Sequence, residues 1–229
     1  MTGSSTPQRP EGSAAIALPD GRLRGARQLP SPNNDERPDP ADISLLVIHN
    51  ISLPPDRFGG PWIDALFTNS LDPKAHPYFE TIHHLRVSAH LFISRDGRVT
   101  QYVPFGRRAW HAGVSSFEGR ERCNDFSIGI EMEGCDSKPF TAKQYARLAR
   151  VTRALLAAYP RLTPERITGH SDIAPGRKTD PGPCFDWMRY RAALAGKVVG
   201  SVRPMRIAAL PPDLRPGRAR SKDTGGFND

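Results

Sequence analysis

Two histidines and an aspartate in this chain are of the residue types that bind a catalytic metal ion. His49 directly follows a short apolar run, and His170 and Asp180 lie in the Pro- and Gly-rich stretch Ile167–Trp187. Two imidazoles and one carboxylate are a recurrent ligand set of catalytic zinc, which keeps a fourth position open for water. The sequence leaves open whether the three converge, because a strand-end histidine is often only a hydrogen-bonded polar residue.

Two further residues have the chemistry to act on water or on a substrate beside such an ion. The stretch FSIGIEME at 126–133 alternates apolar and polar residues, so Glu131 and Glu133 leave the apolar face. Glu131 is the predicted general base and Glu133 is its rival. Lys178, two residues before Asp180, can stabilise an oxyanion. The ordinary alternatives are solvated carboxylates on an open strand face and a surface lysine.

The composition favours one large domain with tails, in a chain of 229 residues of which 38% are hydrophobic. The formal charge of +8 favours anionic partners, but no Lys/Arg stripe with interleaved aromatics occurs, so we predict no nucleic-acid binding. The three cysteines lack C-x-x-C spacing, which suits a reducing compartment. Because the N-terminus has no apolar signal region and no run can span a bilayer, we expect a cytoplasmic protein without membrane partners.

The local patterns predict a mixed α/β domain over residues 21–196. Ile43–Ile48 is typical of a strand covered on both faces, and His49 and Asn50 are expected just beyond its carboxyl end. Asp96-Gly97 between two apolar runs, His90–Ser94 and Val99–Val103, predicts a hairpin. A capping box at Thr141-Ala-Lys-Gln144 starts a core helix that Pro160 stops, and a second helix is expected from about Asp186 to Gly196.

The remaining segments are predicted to be irregular. Residues 54–78 are expected to form a loop with one short helix, as a wall or lid of the site. Ile167–Trp187 is so rich in Pro and Gly that it predicts a long ordered loop rather than a helix or strand. Residues 1–20 are predicted to be a disordered N-terminal extension, 21–40 to be loop-like, and 197–229 to be an extended C-terminal tail.

Long motifs follow one another between about Asp42 and Ala195: VIHNISLPP, LDPKAHPYF, LRVSAH, RDGRVTQYVPF, RRAWHAGVSSFEGRERCNDFSIGIEMEG and TGHSDIAPGRKTDPGPCFDW. With these motifs the chain closely resembles the type 2 N-acetylmuramoyl-L-alanine amidases, or peptidoglycan-recognition family, and in particular the cytoplasmic amidases of bacterial cell-wall recycling. The resemblance implies an α/β fold with a central mixed β-sheet, helices packed against it and a zinc cleft.

The resemblance also implies roles for individual residues. His49, His170 and Asp180 match the zinc ligands, Glu131 matches the general base, and Lys178 matches the residue that stabilises the transition state. The implied substrate is an anhydromuropeptide, a small molecule that is cut between the lactyl group of 1,6-anhydro-N-acetylmuramic acid and L-alanine.

The family's substrate contacts match four further positions. Asn50 and Trp110 correspond to the pocket wall, and Arg86 and Arg122 to contacts with carboxylates of the peptide stem. A monomer is expected. The alternative from another class is a catalytically inactive peptidoglycan-binding module, which would lack a ligand, whereas all three matching positions are filled here. An exported amidase is a third possibility, and it requires a signal sequence.

Overall fold

A six-stranded mixed sheet forms the centre of the structure, a computed structural model that describes residues 16–17 and 21–196. The strands, in chain order, are β1 (Ile16–Ala17), β2 (Arg22–Leu23), β3 (Arg27–Gln28), β4 (Asn34–Asp35), β5 (Leu45–Ile51), β6 (Leu91–Ile93), β7 (Val99–Gln101), β8 (Arg108–Ala109), β9 (Ser116–Phe117), β10 (Arg120–Glu121), β11 (Ser127–Glu133) and β12 (Ile167–Gly169). The helices are α1 (Trp62–Phe67), α2 (Pro77–Ile82), α3 (Ala142–Ala158), α4 (His170–Ile173) and α5 (Trp187–Leu194).

The strand order of the main sheet is β12-β5-β11-β6-β7-β3. The strands β12, β5, β11 and β6 run parallel, β7 is antiparallel to β6, and β3 is parallel to β7. The predicted hairpin is therefore present as β6 and β7. This arrangement confirms the predicted α/β class with a central mixed sheet and flanking helices.

One face of the sheet packs against α3 and α5. Alternate residues of the two central strands, such as Ile48 and Ile130, are fully buried in this cluster together with Leu148 of α3. The predicted capping box starts α3: Thr141 Oγ1 accepts from Gln144 N at 3.1 Å, and Gln144 Oε1 accepts from Thr141 N at 3.0 Å. This layer fixes which residues of β5 and β11 point to the opposite face.

The opposite face carries smaller apolar clusters and the polar residues of interest. Leu45 and Val47 of β5 pack there with Ile173 of α4. The alternation predicted for 126–133 would put Phe126 on the same face as Ile128. This is wrong for Phe126, which belongs to the second cluster. The reason is local, because Phe126 precedes β11 with φ −129° and ψ 8°, outside the extended conformation that alternation requires.

The stretch Ile167–Trp187 is more regular than its composition predicts. Its first residues form β12, which pairs with β5, and α4 follows at once. Asp172 Oδ2 stabilises this junction by accepting from Gly169 N and from Thr168 Oγ1, both at 2.8 Å. Pairing with a buried neighbouring strand outweighs the local turn signals. The prediction of a loop is wrong for 167–173 and holds for much of the remainder.

Two other segments also contain more structure than predicted. Residues 54–78 carry α1, a 3₁₀ turn at Pro73–Ala75 and the start of α2, rather than one short helix. In the segment 21–40, β3 extends the sheet and the buried Arg37 donates to the carbonyl oxygens of Ser127 (2.8 Å) and Phe105 (3.2 Å). Burial lowers the pKa of Arg37 to about 10. No local pattern in 21–40 indicated this anchor.

Most of the predicted N-terminal extension (1–20) and the whole predicted C-terminal tail (197–229) lie outside the described residues. Within the extension, Ile16–Ala17 pairs with β2 in antiparallel register. In the ranges that the structure describes, no helix combines the length and the apolar character needed to cross a membrane.

Candidate metal centre

The carboxyl ends of three adjacent parallel strands bring the predicted residues together. His49 of β5 is directly paired in register with Glu131 of β11. Gly169 of β12 pairs with Ile48, so His170, the next residue, comes beside His49. His49 and Asn50 thus lie inside β5, which continues to Ile51, and not beyond its end as predicted. The strand register explains how residues 121 positions apart come into contact.

His49, His170 and Asp180 converge on one point. The Nδ1 atoms of the two histidines are 3.0 Å apart, and Asp180 Oδ2 lies 3.0 Å from His49 Nδ1 and 3.1 Å from His170 Nδ1. Both histidines are buried and Asp180 is half-buried. The three side chains offer one ligand atom each within a small triangle, so this group can hold a metal ion.

The electrostatics of the triangle suit a cation. Burial lowers the pKa of His49, which the adjacent Asp180 carboxylate only partly offsets, so the imidazole is held neutral. Burial acts to raise the pKa of Asp180, but the adjacent His170 and His49 outweigh it and hold the pKa of this carboxylate well below its usual value. A neutral imidazole at His49 and an ionised carboxylate at Asp180 are the protonation states that metal ligands need.

Each histidine has a partner for its outer ring nitrogen. His170 Nε2 lies 3.0 Å from the carbonyl oxygen of Ala112, which can only accept, so Nε2 carries a proton. In the neutral form of this ring, Nδ1 is then the nitrogen with the lone pair that a metal needs. His49 Nε2 lies 2.9 Å from Nδ1 of His111. His111 lies in the stretch AWHAG (109–113), from which we predict a position near the cleft, behind the ligands or in its wall. The structure brings it against His49 and into the lining of the cleft.

Glu131 lies beside the triangle, since it pairs in register with His49 and lines the same cleft. Among residues 21–196, its Oε2 is shielded from solvent and has no hydrogen-bond partner. Burial raises the pKa of Glu131 well above its ordinary value; the Asp180 carboxylate adds to this effect and Lys178 opposes it. A buried carboxylate without a partner is costly, and such groups are candidates for proton transfer.

Glu133, the rival base, has a different environment. Its Oε2 accepts from Arg95 N at 2.7 Å and its Oε1 accepts from Gly59 N, so both oxygens are engaged by backbone amides. It lines a separate cavity with Arg95 and Phe58. Glu133 therefore holds loops in place and does not face the triangle.

An open cleft of about 490 Å³ gives access to the triangle. It is lined by His49, His170, Asp180, Glu131, Lys178, Asn50 and Trp110, and by an apolar wall that includes Tyr78, Ile82, Leu85 and Val87. Lys178 is exposed and, within the described part of the chain, forms no ion pair. The sequence patterns did not indicate the apolar wall, which α2 and the residues after it supply.

The four predicted substrate contacts fall into two pairs. Asn50 and Trp110 line the cleft; Asn50 Nδ2 donates to Asp136 Oδ1 at 2.9 Å, and Trp110 Nε1 to Asp35 Oδ1 at 3.2 Å. Arg86 and Arg122 are exposed and lie outside the cleft lining. Arg86 Nη1 donates to the carbonyl oxygen of His84 at 3.1 Å. Arg122 Nε lies 3.3 Å from Asp125 Oδ2.

The comparisons with known proteins agree with this fold. Residues 39–183 match the family model for N-acetylmuramoyl-L-alanine amidase, and the chain belongs to this family of enzymes. It is similar to proteins named 1,6-anhydro-N-acetylmuramyl-L-alanine amidase AmpD. The relative from Salmonella typhimurium is 64% identical over 78% of this chain and 95% of its own length. The relative from Haemophilus influenzae is 58% identical over 76% and 95%.

Solved structures show the same relationship. A crystal structure of a selenomethionine AmpD derivative has a TM-score of 0.76 at 63% identity, covering 78% of this chain and 99% of that one. AmpDH3 from Pseudomonas aeruginosa, in complex with an anhydromuramic pentapeptide, has a TM-score of 0.50 at 30% identity, covering 66% of this chain and 60% of that one. The mixed sheet with flanking helices is thus the fold of this amidase family.

Proposed function

We propose that this chain is a zinc-dependent amidase that acts on anhydromuropeptides. It hydrolyses the amide between the lactyl group of 1,6-anhydro-N-acetylmuramic acid and L-alanine, as a step of cell-wall recycling in the cytoplasm. The observation that carries the proposal is the triangle of His49, His170 and Asp180 next to Glu131, whose Oε2 has no partner among the residues that the structure describes. The similarity to AmpD proteins of several bacteria supports the choice of bond.

The donor set and its size fit zinc. Ligand atoms that bind a tetrahedral zinc ion at about 2.0–2.1 Å are about 3.3 Å apart. The sides of 3.0–3.1 Å in this triangle come close to that value. Two histidines and one carboxylate leave a fourth position, which faces the cleft in this proposal. When bound, zinc supplies Lewis-acid polarisation of a carbonyl group and lowers the pKa of a water molecule towards neutrality.

Glu131 is the general base in this proposal. Its Oε2 takes a proton from the water that attacks the amide carbon and then returns it to the leaving amino group of L-alanine. Two observations support this role: Oε2 has no competing donor in the described part of the chain, and burial makes it a stronger base than an exposed carboxylate. Glu133 cannot substitute, because both of its oxygens already accept from backbone amides.

Lys178 provides positive charge at the cleft. Its ammonium group stabilises the negative charge that develops on the carbonyl oxygen of the cut amide. Its exposure and its freedom from an ion pair within residues 21–196 support this role, since the side chain can move towards a bound substrate. The backbone that carries it is fixed, because Lys178 N donates to the carbonyl oxygen of Ala174 at 3.1 Å.

In this proposal, different parts of the cleft contact different parts of the substrate. Asn50, Trp110 and the apolar wall around Ile82 contact the sugar and the lactyl group, while Arg86 and Arg122 reach in from outside to the carboxylates of the peptide stem. The positive charge of the protein favours such an anionic substrate. The proposed enzyme acts as a monomer.

Product analysis tests the proposed bond. Zinc-loaded protein is incubated with an anhydromuropeptide and, in parallel, with the matched muropeptide that has a reduced, non-anhydro sugar. Mass spectrometry is expected to find an intact anhydro sugar with a free lactyl carboxylate and a peptide that begins with L-alanine. Cleavage within the peptide, or no reaction of the zinc-loaded protein with the anhydro substrate, would contradict the proposal.

A further inference from the structure

The two adjacent residues His111 and Ala112 lie behind both histidines of the triangle. The carbonyl oxygen of Ala112 is 3.0 Å from His170 Nε2, and Nδ1 of His111 is 2.9 Å from His49 Nε2. The other ring nitrogen of His111 also has a partner: His111 Nε2 lies 3.2 Å from Ser127 Oγ. The contacts form a hydrogen-bonded series from His49 through His111 to Ser127. One short segment thus contacts the outer nitrogen of each histidine.

The direction of the hydrogen bonds decides whether His49 can bind a metal. A neutral imidazole carries its proton on one nitrogen, and only the other can be a ligand. With the proton on Nε2, His49 donates to His111 Nδ1, and His111 donates from Nε2 to Ser127 Oγ. In the reverse arrangement, Nδ1 of His111 donates and Nε2 of His49 accepts. The proton of His49 is then on its own Nδ1, where it points into the triangle and blocks coordination.

The backbone is built to hold the ring of His111 in this position. A Cβ atom at Gly129 would lie 2.5 Å from His111 Cγ, so the imidazole rests directly on β11 where a side chain is missing. The side chain of Asn124 holds the segment His111–Ala112 through two hydrogen bonds. Its Oδ1 accepts from His111 N at 3.1 Å and from Ala112 N at 2.8 Å. Arg177 Nη2 adds a 2.6 Å hydrogen bond to Ala112 O.

We infer that His111 is a positioning residue of the metal centre. By accepting the Nε2 proton of His49 and donating its own Nε2 proton to Ser127, it keeps His49 Nδ1 available as a ligand. The inference rests on the proposed function, since it concerns the same triangle. It adds a residue that acts on the metal through His49, and it predicts that zinc affinity depends on a hydrogen-bond acceptor at position 111.

Zinc affinity of matched variants tests this inference. His111→Phe retains a ring over Gly129 but has no acceptor, whereas His111→Gln supplies an amide oxygen for His49 and an amide NH₂ group for Ser127. Competition with a coloured chelator is expected to show zinc binding about 10- to 100-fold weaker in His111→Phe, the usual cost of losing such an outer partner. His111→Gln is expected to recover most of the affinity. Thermal unfolding of the metal-free proteins separates this effect from simple loss of fold.

The ring protons of His111 give an independent signature. In zinc-loaded wild-type protein, ¹⁵N NMR is expected to show His111 protonated at Nε2 and unprotonated at Nδ1. A His111 proton on Nδ1, equal zinc affinity in His111→Phe and wild type, or equal losses in the Phe and Gln variants would each overturn the inference. A wild-type protein that fails to bind zinc would instead overturn the proposed function, so the two failures are distinguishable.

Discussion

Glu131 and Glu133 point to the same side of β11, yet within the described ranges only Glu133 has both carboxylate oxygens paired. Glu133 accepts from the backbone amides of Gly59 and Arg95, while Oε2 of Glu131 has no partner within residues 21–196 and lies in the cleft beside His49. The two glutamates of this strand thus have different functions. Glu133 stabilises loops, and Glu131 is available for chemistry in the proposed mechanism.

Exchanging each glutamate for glutamine should therefore affect different properties, turnover for Glu131 and stability for Glu133. Glu131→Gln is expected to lower kcat by about 10²- to 10⁴-fold, the usual contribution of a general base, while zinc content and fold are retained. Glu133→Gln is expected to keep most activity but to lose about 1–3 kcal/mol of unfolding free energy, because an amide NH₂ group would then face a buried donor. Steady-state kinetics and urea unfolding measure the two effects.

The matched control for this pair is Glu165→Gln, which lies before the start of β12, at the end away from His170. Glu165 is exposed and lies in the 3₁₀ turn Pro164–Arg166, before the strand begins. Neither activity nor stability should change in it. A larger loss of turnover in Glu133→Gln than in Glu131→Gln would show that the roles are reversed.

The stability of the metal-free protein should depend on pH through Glu131. Burial raises its folded-state pKa well above the ordinary value of 4.5. Its contribution to stability is therefore fully present below pH 4.5 and is lost as pH rises through the raised pKa, because the unfolded chain releases the proton more readily. Chelated wild type should lose unfolding free energy relative to Glu131→Gln between pH 4.5 and 8. Urea unfolding curves whose difference does not change with pH would refute the raised pKa.

Lys178 should affect turnover and leave metal binding almost unchanged. Lys178→Met removes the charge but retains the length of the side chain, and kcat is expected to fall by about 10²- to 10³-fold, as when an oxyanion donor is lost. Lys143→Met, an exposed lysine on α3 at the other face of the sheet, is the control. If both variants turn over substrate at the wild-type rate, Lys178 does not stabilise the transition state.

Gly129 and His111 should be energetically coupled. Alanine normally stabilises a strand relative to glycine, but here its Cβ would collide with the ring of His111, so Gly129→Ala is expected to cost about 1–3 kcal/mol. In a His111→Ala background the space is free and the same substitution should be nearly neutral or stabilising. A double-mutant cycle by urea unfolding measures this coupling. Additive effects would mean that the two residues do not compete for the same space.

The sequence predicted those elements whose signals are local. The alternation of β11 and the capping box of α3 are patterns within a few residues, and both were confirmed, because apolar periodicity and end-capping act at short range. Register and pairing are not local. The strand β12 is three residues long and is stabilised by its buried neighbour β5, so the surrounding Pro and Gly residues concealed it.

The candidate site was predictable from residue types, but the contacts that support it were not. Histidines and a carboxylate on strand-end and loop positions indicate a metal site, and His111 was expected near the cleft. Its contact with His49, 62 positions away, and the missing side chain at Gly129 that makes room for its ring do not follow from local patterns. Arg37 likewise lies in a segment whose composition is typical of a loop, and its burial follows from carbonyl groups 68 to 90 positions further along the chain. The roles of His111 and Arg37 therefore depend on contacts between distant parts of the chain, which only the folded structure shows.

The most direct test of this account is to remove and restore the metal. Protein treated with a chelator is assayed on an anhydromuropeptide while zinc is added back and bound metal is measured. We predict no turnover without metal, full recovery at about one zinc ion per chain, and neither binding nor recovery in Asp180→Ala. Full activity in the metal-free protein, or wild-type zinc binding and turnover in Asp180→Ala, would contradict the account.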